Sequence, residues 1–159
     1  MRVGHGFDVH QLSEGCDRVL GGIFVPHDRG LAGHSDGDVL LHAVASALLG
    51  ALGEGDLGTH FPSTDPALRG ISSRRLLSDV VGKVTAAGLE LSHLDSTVVA
   101  QEPRLGPYRQ AMRESLADAL GVSLSQVNVK ITSTDGLGAI GRGEGIAAHA
   151  VVMLSGSKS

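Results

Sequence analysis

Hydrophobic and polar positions change their spacing along the first third of the chain, and these changes predict strands followed by a helix. Residues 2–10 alternate small, apolar and polar side chains, which is typical of a strand. Residues 19–25 place two short apolar runs around a Gly-Gly pair and predict a hairpin. Residues 39–52 carry Ala, Leu and Val almost throughout, and Gly53 follows, which predicts a buried helix that ends at this glycine.

The rest of the chain continues the alternation after a loop predicted over residues 53–70, which is rich in Gly and Pro. The predicted elements are a helix capped by Ser72 or Ser73 and running to about residue 87, a strand over 89–100, a helix over 109–120, a strand over 127–132 and a closing strand over 146–154. This order predicts an α+β fold, in which a small mixed sheet of about four or five strands has helices packed on one face. A bare apolar sheet face predicts self-association with closed cyclic symmetry.

Composition limits the class of protein. With 159 residues, the chain predicts a single domain over 1–159, of which 155–159 form a disordered tail. A net charge of -4 argues against a nucleic-acid partner, and the single Cys16 excludes an intramolecular disulfide and a cysteine-rich zinc site. Because no apolar run reaches the roughly 18 residues of a membrane helix and no signal peptide is seen, we expect no membrane partner and a cytoplasmic location.

Histidine is the unusual component, since the chain has eight histidines and only three lysines. Asp8 and His10 are two residues apart on a predicted strand, so their side chains leave the same face of the sheet. His42 lies near the start of the first helix. Together the three residues offer a divalent metal three ligands and leave a fourth position open, as in a catalytic zinc site. The alternative is that His42 only caps or hydrogen-bonds near the helix start.

Residues 33–37, with the sequence GHSDG, match the G-x-S-x-G nucleophile elbow of serine hydrolases. An elbow needs a buried strand before it, whereas polar residues 27–30 precede this one. A second interpretation is a tight turn with Asp or Ser capping the next helix. In a third, His34 and Ser35 hydrogen-bond an anionic substrate beside the helix N-terminus, where the dipole favours negative charge.

Residues 136–141 match the G-x-G-x-x-G dinucleotide fingerprint, but no acidic residue follows Glu144 and the chain continues as a strand. We therefore predict a glycine-rich bend instead. Its exposed N–H groups, with Thr132, Thr134 and Arg142, could meet phosphates.

Two carboxylates allow more than one interpretation. Asp135 stands next to the possible phosphate-binding hydroxyls and could hold Mg²⁺, or be an exposed turn residue. Asp56 could accept hydrogen bonds from a polyol, or form an Asx-turn.

Four segments taken together resemble one enzyme family over nearly the whole chain. They are GFDVH at 6–10, GHSDGDV at 33–39 with His42-Ala43, GDLG at 55–58 with Phe61-Pro62, and GRGEGIAA at 141–148. In this order and spacing they resemble the 2-C-methyl-D-erythritol 2,4-cyclodiphosphate synthase family. The resemblance implies a cytoplasmic lyase of the non-mevalonate isoprenoid pathway, a homotrimer with active sites between adjacent subunits.

The implied substrate is 4-diphosphocytidyl-2-C-methyl-D-erythritol 2-phosphate, whose 2-phosphate attacks the β-phosphorus, expels CMP and closes a cyclic diphosphate. Such an intramolecular transfer needs positioning and charge neutralisation rather than a protein nucleophile. By resemblance, Asp8, His10 and His42 bind Zn²⁺, while Asp135 holds Mg²⁺ or Mn²⁺ on the substrate diphosphate.

The resemblance also assigns the residues around the substrate. His34 and Asp135 are implied as catalytic residues, and Ser35 is implied to position the 2-phosphate together with His34. Ile131 to Ser133 are implied to reach the cytidine from the adjacent subunit. The full implied set is Asp8, His10, His34, Ser35, Asp56, Leu57, Gly58, Phe61, Ala100, Arg104, Leu105, Ile131, Thr132, Ser133, Thr134 and Arg142.

The chain departs from the family pattern at several positions. The family usually has Glu where Asp135 stands, Asp where Ser63 stands and Lys where Arg104 stands. Ala139 and His149 differ from the aromatic and acidic residues of the trimer channel, so no isoprenoid ligand is predicted there. Two other functions stay open: a serine hydrolase acting through Ser35, and a trimeric metal-binding module without turnover.

Overall fold

A five-stranded mixed sheet is the framework of the computed structural model, which describes residues 1–156. Its elements are β1 (Arg2–Glu14), β2 (Val19–Leu20), β3 (Ile23–Phe24), β4 (Arg29–Leu31), α1 (Val39–Leu52), α2 (Leu57–His60), α3 (Ser73–Ala86), β5 (Leu89–Val99), α4 (Arg109–Leu120), β6 (Val127–Thr132), α5 (Gly138–Gly141) and β7 (Gly145–Gly156). The strand order is β4-β1-β7-β5-β6. Only β5 and β6 run parallel, while β2 and β3 form a separate hairpin. The predicted mixed sheet is confirmed.

The predicted elements are all present, but some of their ends differ, and the structure adds short elements that were not predicted, among them β4 and α5. Strand β1 continues to Glu14, beyond the predicted end at residue 10. Strand β7 continues through Gly156, so residues 155–156 pair in the sheet instead of starting a tail, and residues 157–159 lie outside the described residues. The segment 53–70 is a loop as predicted, except for the short helix α2 and a single helical turn at Pro66–Leu68, which were not predicted.

Helix α1 approaches strand β1 so closely that only glycine fits between them. A Cβ added at Gly4 would overlap the carbonyl oxygen of Ala47, and one added at Gly6 would overlap that of Ala43. The helix offers alanines at these contacts, so backbone meets backbone. The contact sets the position of α1 along β1, and with it the position of every side chain near the start of the helix.

The two faces of the sheet differ in what covers them. Helices α1, α3 and α4 pack on one face, where Leu94, Val98 and Val152 are fully buried. On the opposite face Val3 is 64% exposed and Phe7 52% exposed. The predicted one-sided layer is therefore confirmed. Among residues 1–156, no helix is long and apolar enough to cross a membrane, and the cytoplasmic location stays a prediction.

The buried carboxylate of Asp38 joins the β2–β3 hairpin to the start of helix α1. It accepts hydrogen bonds from the backbone N–H groups of Gly21 at 2.9 Å, Gly22 at 2.7 Å and Leu41 at 3.1 Å. Burial raises the pKa of Asp38 above its ordinary value, and the three N–H donors oppose that rise. Asp38 is the N-cap of α1, and His42 follows it by one helical turn.

Candidate metal centre

Strand β1 and helix α1 bring the three predicted metal ligands together. Asp8 and His10 continue the series of even-numbered residues that begins with Gly4 and Gly6, so they lie on the sheet face that α1 covers. His42 directly precedes Ala43, the residue against which Gly6 packs. The alternation of the strand and the glycine contact together place His42 above the two strand residues.

The ligand atoms form a small triangle. His10 Nε2 is 2.8 Å from Asp8 Oδ2 and 3.1 Å from His42 Nδ1, and His42 Nδ1 is 3.0 Å from Asp8 Oδ2. In a tetrahedral zinc site with ligand bonds near 2.1 Å, neighbouring ligand atoms are about 3.4 Å apart. The triangle is slightly smaller than this. One carboxylate oxygen and two imidazole nitrogens are suitable zinc ligands, so the donor set fits a divalent metal.

Electrostatics within the triangle favour the charged forms of two of its members. Burial alone would raise the pKa of Asp8, but hydrogen bonds with His10 and His42 hold this pKa well below its usual range. Burial would likewise lower the pKa of His10, whereas the Asp8 carboxylate and the Ala32 carbonyl raise it. Without a metal, Asp8 and His10 therefore act as an ion pair.

Each histidine is also held through its second ring nitrogen. His10 Nδ1 lies 2.5 Å from the carbonyl oxygen of Ala32, to which it donates, so His10 Nε2 faces the triangle. His42 Nε2 lies 2.8 Å from Ser73 Oγ and 3.0 Å from Ser35 Oγ. The Ser73 hydroxyl in turn donates to the Asp36 carboxylate.

The sequence suggests Ser73 and the acids of the loop before α1 only as helix caps, whereas it suggests Ser35 also as a nucleophile or as a partner of an anionic substrate. Ser72 occupies the N-cap position of α3 but makes no side-chain capping hydrogen bond, and Ser73 bonds to Asp36 and His42 instead. Ser72 is thus at the predicted N-cap position, but the predicted side-chain cap is not formed. The backbone N–H of Ser73 instead donates at 3.0 Å to the carboxylate of Asp36, which lies 37 residues earlier in the sequence. No local pattern signals such a long-range contact.

A cavity of about 230 Å³ opens beside the triangle. Its walls include the predicted site residues His10, His34, Ser35, His42, Leu57 and Phe61. His34 is fixed to the segment before α3, because its Nε2 lies 3.1 Å from the Asp65 carbonyl oxygen and its own carbonyl accepts from Gly70. The structure therefore groups the predicted metal ligands with the residues predicted to meet the 2-phosphate.

Asp56 and Gly58 lie at the start of helix α2 on the rim of this region. Asp56 Oδ1 accepts from both the backbone N–H and the hydroxyl of Thr59 at 2.8 Å, and these bonds lower the pKa of the carboxyl. The capping turn considered from the sequence is thus present. Binding of a polyol by Asp56 stays a prediction.

A second group of predicted site residues lies where strands β5 and β6 end. Ala100 donates its N–H to the carbonyl of Thr132 at 3.0 Å, and Asp135, whose φ is +52°, accepts from the Ser133 hydroxyl at 3.2 Å. Arg142 lies apart from this group, on the segment before β7, where it pairs with Glu144 at 2.5 Å and the Glu144 carbonyl accepts the N–H of Leu12 in β1. The other predicted members of this group are Arg104, Leu105, Ile131 and Thr134.

Within a single chain, the second group of residues lies far from the metal triangle. Strands β7 and β5 stand between β1 and β6, so three strand spacings, roughly 14 Å in all, separate them.

The glycine-rich bend has less free backbone than predicted. The N–H groups of Gly141, Arg142, Gly143 and Glu144 all donate to carbonyls within the segment, which forms the short helix α5 and its end. For these four N–H groups the predicted role as phosphate donors is wrong.

Fold and site define the class as an α+β protein with an Asp-His-His cluster that can hold a metal beside a cavity. Comparison with known proteins narrows this class. The chain belongs to the YgbB family, whose model matches residues 1–155.

Its relatives share both sequence and structure with it over almost their whole length. The chain is 56% identical to a 2-C-methyl-D-erythritol 2,4-cyclodiphosphate synthase from Syntrophotalea carbinolica over 98% of this chain and 94% of the relative. It is 57% identical to the protein of that name from Moorella thermoacetica over 97% and 94% of the two chains. A solved structure of a 2C-methyl-D-erythritol-2,4-cyclodiphosphate synthase, in a form bound to CDP, superposes with a TM-score of 0.89 at 36% identity, covering 97% of this chain and 100% of that one.

Proposed function

We propose that this chain converts 4-diphosphocytidyl-2-C-methyl-D-erythritol 2-phosphate to 2-C-methyl-D-erythritol 2,4-cyclodiphosphate and CMP, in the non-mevalonate isoprenoid pathway. The observation that carries the proposal is the triangle of Asp8, His10 and His42, whose two histidines line a cavity together with His34 and Ser35. The names of its relatives describe the same product.

The triangle is the proposed Zn²⁺ site, because its nitrogen and oxygen donors leave one coordination position for substrate. Bound there, Zn²⁺ would supply Lewis-acid polarisation of a phosphoryl oxygen. Asp135, with its neighbour Ser133, is the proposed holder of Mg²⁺ or Mn²⁺ on the substrate diphosphate. Its side chain is one methylene shorter than the usual Glu, and its exposed position leaves room for a water between carboxylate and ion.

The chemistry asks the protein for positioning. An oxygen of the 2-phosphate forms a bond to the β-phosphorus, the bond from that phosphorus to the oxygen shared with the α-phosphorus breaks, and CMP leaves with that oxygen. Both reacting groups belong to one substrate, so no side chain has to act as nucleophile. In this proposal His34 and Ser35 hold the 2-phosphate, while Leu57, Gly58 and Asp56 hold the erythritol part.

The cytidine is assigned to the second group of residues, and that assignment requires a second subunit. Ala100, Arg104 and Leu105 form one wall and Ile131 to Thr134 another, at the edge of the sheet remote from the triangle. The exposed apolar residues of the bare sheet face, among them Val3, Phe7 and Val9, are the surface for a homotrimer. Packing the sheets together would bring one subunit's triangle to the next subunit's cytidine site. The relative bound to CDP supports the nucleotide.

Turnover of the diphosphocytidyl substrate tests the proposal. We expect equal amounts of CMP and a cyclic diphosphate, the latter seen as two coupled signals in ³¹P NMR. Treatment with a chelator should stop the reaction, and added Zn²⁺ should restore it. Full turnover by the metal-stripped protein would overturn the metal role, and metal binding without any release of CMP would favour the non-catalytic metal-binding module.

One observation favours a second candidate function. Ser35 Oγ is 3.0 Å from His42 Nε2, and His42 Nδ1 is 3.0 Å from Asp8 Oδ2, which is the connectivity of a serine hydrolase triad. However, His42 Nε2 lies closer to Ser73 than to Ser35, and Asp8 is shared with His10. A phosphonylating reagent should label Ser35 and stop activity if the triad operates, whereas the cyclising enzyme should be indifferent to it.

A further inference from the structure

His42 has a supporting chain of hydrogen bonds behind it that reaches two distant segments. We infer that Ser73, backed by Asp36, is a positioning residue that keeps a proton on Nε2 of His42, so that Nδ1 is the ring nitrogen that faces the metal triangle as a ligand atom. The inference rests on the metal centre of the proposed function. In the sequence, Ser73 is 31 residues from His42 and 37 residues from Asp36, which lies in the loop before α1.

The protons available on each group determine which one donates in each hydrogen bond of this chain. Ser73 has one hydroxyl proton, and it donates this proton to Asp36, because an ionised carboxylate can only accept. Ser73 Oγ can therefore meet His42 Nε2, 2.8 Å away, only as an acceptor. His42 must then carry a proton on Nε2, so Nδ1, which faces Asp8 and His10, is the nitrogen available to a metal, and the metal would replace any proton there.

Asp36 is itself held in place, so its carboxylate is a fixed end for the chain. Its Oδ2 accepts the backbone N–H of Ser73 at 3.0 Å, and its Oδ1 accepts that of Asp38 at 3.2 Å. These bonds join the start of α3 to the loop before α1. Ser73 is only 1% exposed, so water does not compete for its hydroxyl.

Ser35 differs from Ser73 although both contact the same nitrogen. Ser35 is half-buried and lines the cavity, and its Oγ contacts no carboxylate among the described residues. Its hydroxyl does not donate to a carboxylate, so Ser35 can donate a hydrogen bond to a ligand in the cavity. Ser73 alone combines burial with a committed proton, and only that combination selects the tautomer.

The tautomer of the metal-free protein tests the inference without any substitution. In long-range ¹H–¹⁵N spectra recorded above the ordinary pKa of histidine, we expect His42 to be protonated at Nε2. A His42 without a proton on Nε2 would overturn the inference, because Ser73 would then not be the acceptor.

Metal affinity tests the consequence. Ser73→Ala should weaken Zn²⁺ binding, measured by competition with a chromophoric chelator, by about 10-fold or more, as removal of supporting groups around metal ligands usually does. Ser72→Ala is the matched control, since this adjacent exposed serine makes no side-chain capping bond, and it should leave the affinity unchanged. Ser73→Thr keeps the hydroxyl and should restore most of the affinity and the Nε2-protonated tautomer.

The outcomes separate the inference from the proposed function. Equal Zn²⁺ affinities for Ser73→Ala and Ser72→Ala would overturn the inference even if both variants turned substrate over. If Ser73→Ala does not fold, Asp36→Asn replaces it, and this variant should lower the share of His42 that is protonated at Nε2. Neither measurement uses the substrate, so a failure of the cyclising reaction leaves both results interpretable.

Discussion

Two pairs of histidines in this chain have nearly the same internal geometry and very different surroundings. His10 Nε2 and His42 Nδ1 are 3.1 Å apart, and His5 Nε2 and His149 Nδ1 are 3.3 Å apart. The first pair lies between strand β1 and helix α1, with Asp8 at hydrogen-bond distance from both rings. The second lies on the bare sheet face, where the nearest ring is that of Phe7. Within residues 1–156, only the first pair belongs to a cluster of three potential metal ligands.

The comparison shows that adjacent imidazoles do not by themselves make a metal site. In the first pair, a carboxylate supplies a third donor and each ring is oriented through its other nitrogen by Ala32 or Ser73. The second pair lacks both features among the described residues. Strand β1 contributes one histidine to each pair, because alternate residues face opposite sides of the sheet.

The largest expected effect comes from removing one member of each pair. His42→Ala should reduce release of CMP by about 1000-fold or more, because it removes a metal ligand and with it several kcal/mol of charge stabilisation. His149→Ala, its counterpart on the bare face, should change turnover less than threefold. Steady-state assays of both variants, with the Zn²⁺ content of each, make the comparison. Comparable losses in the two variants would contradict the separation of the two histidine pairs.

A charge placed on the bare face should prevent assembly of the trimer and leave metal binding intact. Phe7→Asp places a carboxylate on the proposed trimer surface, where each subunit would bring one, and like charges brought together there cost several kcal/mol. We expect monomers by light scattering and a loss of turnover of about 100-fold, while one Zn²⁺ per chain is still bound. Phe7→Leu is the control that keeps an apolar side chain. Retention of the trimer in Phe7→Asp would show that another surface forms the contact.

A smaller effect is expected at the close contact between helix α1 and strand β1 on the helix-covered face. Gly6→Ala adds a Cβ that overlaps the Ala43 carbonyl, so helix and strand must move apart, and we expect a loss of about 2–3 kcal/mol in the free energy of unfolding. Gly82→Ala is the matched control, because its Cβ meets no atom within 4 Å inside helix α3, and it should stabilise the protein by up to about 1 kcal/mol. Urea unfolding of both variants measures the difference.

Local periodicity explains why the ligands of the first pair could be predicted. Asp8 and His10 share a face because they are two apart on a strand, and His42 belongs to a helix that its composition reveals. The bare face also followed, since one layer of helices covers one side of a sheet. Both inferences need only neighbours along the chain.

The supporting contacts could not be predicted, because they join segments far apart in sequence. Asp36 and Ser73 look like ordinary helix caps until folding brings α3 against the loop before α1. The short helix α2 was missed because the Gly and Pro around it indicate a loop. The bend at 136–145 was predicted to expose its N–H groups, and only the structure shows them paired.

The smallest expected effect is the pH dependence of the metal-free protein. Hydrogen bonds lower the pKa of Asp8 in the folded state, so its contribution to stability is present above the ordinary value of 3.8 and is lost as the pH falls through the lowered pKa. The pKa of His10 is raised, so its contribution is present below the ordinary value of 6.5 and is lost as the pH rises through the raised pKa. Both contributions are complete only between these two values.

Stability of the metal-free protein should therefore contain a component on the order of 1 kcal/mol that is greatest between about pH 4 and 6.5. Urea unfolding across this range measures it, and Asp8→Asn should remove it. Zn²⁺ should move the optimum to higher pH, because the metal binds the deprotonated rings and competes with the proton on His10. His149→Ala should keep the component unchanged, since no carboxylate among the described residues contacts the His5–His149 pair. A component that Asp8→Asn leaves intact would show that the ion pair within the triangle does not stabilise the fold.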